Sequence, residues 1–175
     1  MFNFVRLIEK SKFMNDPHLE KAFIALVQEN ERLIYKVCSF YASDEFPMTD
    51  LYQEVVYNLW RSFPKFRQES SISTWMYRVA LNTCVSGVRK ELKRPKHVPI
   101  LELEEHLVEP ESMNENIREM YKLIHQLKSV ERAIILLWLE EKSYQEIADI
   151  TGFTLNNVAI KLKRIKEKLK KMSEN

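Results

Sequence analysis

Ser143-Tyr-Gln-Glu-Ile-Ala-Asp-Ile-Thr-Gly-Phe-Thr-Leu-Asn-Asn-Val-Ala-Ile-Lys-Leu-Lys-Arg-Ile-Lys-Glu-Lys-Leu-Lys-Lys171 reads as two helices joined by a tight bend. Ser143 and Glu146 have the spacing of a capping box, which starts a short helix. Gly152 lies in the turn Thr151–Thr154, where a positive φ is needed and glycine adopts it at no steric cost. Ala148 lets the two helices approach closely, and Val158 packs the second on the first. At about 100° per residue, Leu155, Val158, Leu162, Ile165 and Leu169 form one apolar stripe. Asn157, Ile160, Lys161, Arg164, Lys168 and Lys171 project away from it. This is the helix-turn-helix pattern, whose second helix fits a DNA groove: cations meet phosphates and a few side chains reach base edges. A helical hairpin with a merely solvated charged face would carry the same stripe.

Outward from that stretch, the whole chain reads as helical. Its 175 residues contain only two glycines, Gly87 and Gly152, which disfavours hairpins and glycine-rich phosphate loops. With 45% apolar residues the chain can form a packed core. From His18 to Ala42, Phe23, Leu26, Val27, Ile34, Val37 and Cys38 recur at helical spacing. Pro47 breaks the run, Thr49 or Asp50 can cap a helix to about Arg61, and Ser71 or Ser73 can cap another reaching about Lys93. Pro95, Pro99 and Pro110 mark a linker. A helix from about Ser112 to Leu127 follows, carrying Ile117, Met120, Tyr121, Ile124 and Leu127 on one side. Ser129 can cap the next, through Trp138.

Charge is unevenly placed along the chain. Arg61 to Arg94 holds eight basic residues against two acids, net +6, and Lys161 to Lys171 holds seven against one, again +6. Between them Lys96 to Glu115 has one lysine against six acids, net −5. Two basic blocks flanking an acidic stretch suit two contacts with a polyanion. No apolar run approaches the ~20 residues of a membrane span, and the start has no signal-peptide pattern. A cytoplasmic protein is expected. Cys38 and Cys84 are isolated in sequence and no histidine has metal-ligand spacing, so no metal or cofactor is expected and the cysteines read as core residues.

Three further constellations bear on function. In the helix after Ser73, Tyr77, Leu81, Cys84, Val85, Val88 and Leu92 share one face, while Trp75, Arg78, Asn82, Ser86, Arg89 and Lys93 lie nearly opposite. An aromatic among cations and amides suits a single strand, the ring stacking on a base and the cations following the backbone; Trp75 tucked beneath a neighbouring helix is the other reading. The loop Lys65-Phe-Arg-Gln-Glu-Ser-Ser71 could hold a flipped base, although serine-capped polar loops are common. In Asp50-Leu-Tyr-Gln-Glu-Val-Val-Tyr-Asn-Leu-Trp60, Leu51, Val55 and Leu59 face inward. That leaves Asp50, Gln53, Glu54, Tyr57 and Trp60 outward as a protein-binding patch, unless Trp60 packs on the first helix.

In order and spacing these segments resemble the extracytoplasmic-function class of sigma factors, over about His18 to Lys171. The most specific stretches are Phe66-Arg67-x-x-Ser70-x-x-x-Thr74-Trp75-Met76-Tyr77-Arg78-Val79-Ala80-x-Asn82 and Ser143-Tyr-Gln-Glu-Ile-Ala148. The resemblance implies an all-α protein of two small helical domains: a region 2-like domain at 1–94, a flexible linker at 95–111 and a region 4-like domain at 112–175. It implies that Asp50, Gln53 and Glu54 dock on the coiled coil of the polymerase large subunit, and the outward patch adds Tyr57 and Trp60 to the expected polymerase-binding residues. Phe66, Arg67, Ser70 and Ser71 would capture a flipped base of the −10 element, and Trp75, Arg78 and Asn82 would contact or help separate its strands. Asn157, Ile160, Lys161, Lys163, Arg164 and Lys168 would read the −35 element, with Lys168 on phosphate, and the linker would follow the RNA-exit path. An anti-sigma factor is a further implied partner. Two departures stand out. Asn156-Asn-Val-Ala-Ile-Lys161 replaces a frequent Gly-Thr-Val-Arg-Ser-Arg, and Arg67-Gln-Glu69 replaces Arg-Gly-Asp or Arg-Gly-Glu.

A stand-alone helix-turn-helix regulator would account for Ser143 to Lys171 but leaves Trp75 and the Asp50 segment without a task. Catalysis is a more distant reading. Of the paired acids, Glu104-Glu105 lies in the linker and Glu140-Glu141 at a helix end, with no partner placed for acid–base work.

Overall fold

The computed structural model describes residues 17–44, 46–91 and 115–174. The linker expected at 95–111 lies outside them, as do the side chains expected from Ile117, Val88, Arg89, Leu92 and Lys93. Pro17 occupies the first position of α1 (Pro17–Glu29), where its missing N–H costs nothing. The helical period running from His18 to Ala42 is divided at Asn30, which leaves the helical conformation at φ −112°, ψ 17°. Its backbone N–H and its side-chain amide both donate to the Leu26 carbonyl, at 3.2 and 2.9 Å. Asparagine competes for backbone partners in this way, and α2 (Glu31–Ser39) sets off afterwards.

Pro47 leads into α3 (Met48–Ser62), which therefore starts before the Thr49 and Asp50 expected to cap it. Asp50 instead lies in the first turn, where the helix dipole favours a carboxylate. A single 3₁₀ turn, Phe63–Lys65, closes α3. Ser71 caps α4 (Ile72–Glu91), its hydroxyl accepting the Thr74 N–H at 3.2 Å. Helices α2, α3 and α4 pack on one another. Their core is built on Phe23, Ile34, Val37, Leu51, Val55, Leu59, Met76 and Ala80. Cys38 and Cys84 are both buried there, and hydrogen bonding to Cys38 together with burial pushes the Cys84 thiol far above its ordinary range.

The second group comprises α5 (Glu115–His125), α6 (Ser129–Leu139), α7 (Tyr144–Thr151) and α8 (Leu155–Ser173). Lys128, not Ser129, stands at the start of α6, and its backbone N–H donates to the Glu131 carboxylate at 3.0 Å. The capping box of α7 forms as expected: the Glu146 N–H reaches the Ser143 hydroxyl at 3.2 Å, and the Ser143 N–H reaches the Glu146 carboxylate at 2.8 Å. Gly152 then turns the chain at φ 76°, and Thr154 caps α8 by accepting the Asn157 N–H at 3.3 Å. Val158, Leu162 and Ile165 bury against α6 and α7. Leu155, expected on the same stripe, is 49% exposed, because the stripe is covered only from Val158 onward.

The two groups meet along α4, which touches α6 and α7. Tyr41 donates to the Ser129 carbonyl at 2.7 Å and Arg132 to the Phe40 carbonyl at 3.1 Å. The Phe40 and Tyr121 rings meet edge-on at 5.0 Å. Glu140 accepts from both Lys36 and Tyr77.

No atom lies within 4 Å of where a Cβ on Gly152 would stand, so a side chain there brings backbone strain without a clash. Gly152→Ala is expected to lower unfolding stability by about 1–2 kcal/mol, the cost of a left-handed non-glycine residue. Urea denaturation of the full chain followed by helical circular dichroism reads this directly.

Candidate nucleic-acid interface

The loop after the 3₁₀ turn is shaped by one unusual residue. Gln68 adopts φ 58°, the left-handed region. It is the position at which the resemblance has glycine, so the loop keeps a glycine-type backbone while presenting an amide. Arg67 and Glu69 beside it are solvent-exposed, 4.0 Å apart. An open cleft of about 570 Å³ lies between the loop and α1, lined by Phe63, Phe66, Gln68 and Ser70 on one side and Ala22, Ala25, Leu26 and Glu29 on the other. The contribution of α1 was not anticipated. Its signal was Ala22 and Ala25 one turn apart beside Leu26, small residues that leave room above an apolar floor. Ser70 lines this cleft, whereas Ser71 is committed to the α4 cap.

Trp75 stands at the edge of the loop. Its ring lies 5.1 Å from Phe66 and 6.3 Å from Phe63, so it is half-covered by its own chain. Asn82 and Arg78 are exposed on the same side of α4, and the Arg78 guanidinium donates to the Asp149 carbonyl of α7 at 2.8 Å. The opposite side of α4 buries Tyr77, Leu81 and Cys84 as expected, joined by Met76 and Ala80.

On α3, Asp50, Gln53, Glu54 and Tyr57 stand in solvent. Trp60 does not: it is 5% exposed, its ring 5.0 Å from Phe23 of α1, and the expectation of an outward Trp60 is corrected. Helix α1 covers that end of α3, which widens its buried arc beyond the Leu51–Val55–Leu59 line.

Along α8, Asn157, Ile160, Lys163 and Arg164 are exposed. Lys161 sits over the Phe153 ring at 5.0 Å. Lys168 departs from its expected role as a free phosphate contact, since its ammonium pairs with Glu131 of α6 at 2.9 Å. Partial burial raises the Glu131 carboxyl, but the hydrogen bonds from Lys168 and the Lys128 backbone outweigh it and leave the group below its ordinary value.

Residues 26–94 match the family model for Sigma-70 region 2 and residues 117–169 that for Sigma-70, region 4. Over 162 residues the chain is 30% identical to the ECF RNA polymerase sigma-E factor of Haemophilus influenzae, covering 85% of each. The chain is an extracytoplasmic-function sigma factor of the sigma-70 family. It is also 29% identical over 163 residues to the sigma-E factor of Escherichia coli K12, covering 85% of this chain and 84% of that one. In fold it matches the sigma factor RpoE solved with the anti-sigma factor NepR from Bartonella quintana, with a TM-score of 0.67 at 17% identity over 88% of this chain and 98% of that one. CnrH, solved with the cytosolic domain of CnrY, matches with a TM-score of 0.61 at 15% identity over 98% and 94%. As an RNA polymerase sigma factor, the chain acts in transcription initiation by bringing core polymerase to promoter DNA.

Two outcomes follow for the side chains expected to meet DNA. Trp75→Ala should reduce −10 strand opening by roughly ten- to a hundredfold, in line with ~1–3 kcal/mol per stacked base, with little change in closed-complex formation. Permanganate footprints scored against gel-shift yields separate the two steps, and equal losses in both would remove Trp75 from the opening role. For duplex binding, Lys163→Ala should flatten the salt dependence by about 0.9 in slope, the release of one counterion. Lys168→Ala should flatten it by clearly less, because Glu131 already neutralises that charge. Fluorescence anisotropy of a −35 duplex at several salt concentrations distinguishes these, and equal slopes would return Lys168 to the phosphate contacts.

Proposed function

We propose that this sigma factor divides its work between region 2 at 1–94 and region 4 at 112–175, with 95–111 as the connection. Asp50, Gln53, Glu54 and Tyr57 dock on the coiled coil of the polymerase large subunit. Phe66, Arg67, Gln68 and Ser70 take a flipped base of the −10 element into the cleft against α1. Trp75, Arg78 and Asn82 hold the separated strand, and Asn157, Ile160, Lys163 and Arg164 read the −35 duplex. The observation that carries this is the surface of α4: an aromatic, a cation and an amide stand together beside an open cleft, which a reader of duplex DNA alone would not need. Ala159 and Ile160 offer no hydrogen bonds to bases, so readout rests on phosphates, groove shape and an Ile160 contact to a thymine methyl. Arg164 supplies the base contact that remains.

The chain works without catalytic groups of its own and in the cytoplasm. Among the described residues no helix is long and apolar enough to cross a membrane. The structure of similar fold in which RpoE is bound to the anti-sigma factor NepR supports an anti-sigma partner here.

Run-off transcription from a promoter library with core polymerase tests the reading as a whole. Within it, Gln53→Ala combined with Glu54→Ala should weaken binding to core polymerase by about 2 kcal/mol or more for each position that is an interface centre, with helicity intact. Co-purification of the variant with core at the wild-type ratio would remove α3 from the docking surface.

A further inference from the structure

The first two turns of α8 present an exposed surface that carries no charge at its centre. Val158, Leu162 and Ile165 are buried against α6 and α7, so a duplex approaches from the other side. At about 100° per residue, Ile160 lies within about 15° of the direction opposite that buried line and Asn156 within about 30°. Lys163 and Arg164 flank them at about 50° to either side, whereas Asn157 lies about 75° away. Asn156 and Ile160 are both exposed, and four residues apart they stand about 6 Å from each other along the axis. Gly152 and the Thr154 cap fix where α8 begins, and with it which way these two side chains point.

We propose that Asn156 joins Ile160 in an uncharged pair that reads A·T base pairs in the major groove of the −35 element. The Asn156 amide N–H donates to adenine N7 and its oxygen accepts from the adenine N6 amino group, while Ile160 packs on the methyl of a thymine. At about 6 Å of separation against about 3.4 Å per base pair, the two contacts fall one or two pairs apart. This assignment rests on the proposed placement of α8 in the −35 groove and adds to it a residue outside the set named there. Asn156 stands where the motif of the resemblance has a frequent glycine, which has no side chain to offer. Among the described residues no hydrogen bond engages its amide, so the group is available to a base. An amide carries a donor and an acceptor side by side, which is the pattern adenine presents in the major groove. Guanine presents two acceptors there and would leave the amide oxygen facing O6. Neither Asn156 nor Ile160 displaces a counterion, so the pair governs which sequence is chosen and leaves the salt dependence to the cations beside it.

The test uses the full chain assembled with core polymerase. A promoter library randomised over both elements first yields the −35 sequence that the wild-type holoenzyme selects. In that duplex each adenine is then replaced in turn by 7-deazaadenine, which lacks the N7 acceptor, and each thymine by deoxyuridine, which lacks the methyl. Competition binding is measured at several salt concentrations for wild type, Asn156→Ala and Ile160→Ala, with circular dichroism verifying that both variants are helical. One 7-deazaadenine should weaken wild-type binding about tenfold and leave Asn156→Ala unaffected. One deoxyuridine, one or two pairs from it, should weaken wild-type binding about threefold and leave Ile160→Ala unaffected. The salt slope should be the same for all three proteins. A selected −35 sequence without A·T pairs, a 7-deazaadenine effect that persists in Asn156→Ala, or one that disappears in Asn157→Ala instead would each overturn the pair while α8 keeps its place in the groove. If the wild type selects no −35 sequence and Lys163→Ala and Arg164→Ala bind as it does, the placement of α8 falls and the pair with it.

Discussion

One helix has to serve three surroundings at once. Over its twenty residues α4 buries Met76, Ala80 and Cys84 against α2 and α3, turns Tyr77 toward Glu140, and leaves Trp75 and Asn82 toward solvent. Only a helix can sort successive side chains in this way, at about 100° of rotation per residue. Ser71 fixes where the rotation starts by capping the first turn. Burial of Met76, Ala80 and Cys84 fixes its phase, and a slip of one residue, about 100°, would turn Ala80 out of the core. The cleft, the seam and the core of the first module therefore share a single phase.

The basic character of α8 is less available than its sequence suggests. Of the cations between Lys161 and Lys171, Lys168 is paired with Glu131, Lys161 lies on the Phe153 ring, and Lys166 lies over Trp138 at 3.7 Å. These contacts hold long side chains along the helix and cover apolar rings with methylene stems. Lys163 and Arg164 remain exposed to solvent on the side proposed to meet DNA. The electrostatic footprint is correspondingly narrower than the net charge of the segment.

Local chemistry was the legible part of the sequence. The Ser143–Glu146 box, the positive φ of Gly152 and the Val158–Leu162–Ile165 stripe each depend on residues within a turn or two of one another, and all appear where the pattern places them. Both modules and their order were legible from the resemblance as well. Distant contacts were not. Trp60 is drawn inward by Phe23, thirty-seven positions away, and Lys168 is neutralised by Glu131 at the same separation. Periodicity assigns each helix one covered side, whereas α3 is covered by α1 as well as by its bundle partners. Asn30 was missed for a different reason: an apolar period runs through it unbroken, and only its side-chain hydrogen bond to Leu26 shows that the helix stops.

The three tryptophans of the chain occupy three distinct settings. Trp60 lies in the interior beside Phe23, Trp75 borders the cleft against Phe66, and Trp138 is partly exposed beneath the Lys166 ammonium. The protein thus carries three intrinsic fluorophores with separate duties. Burial beside Phe23 places Trp60 in an apolar setting that favours short-wavelength emission, whereas Trp75 at the cleft edge is the ring that a stacked nucleobase would quench. If the proposed strand contact is made, promoter loading would be read in real time by the protein's own light, without attaching a dye to either partner.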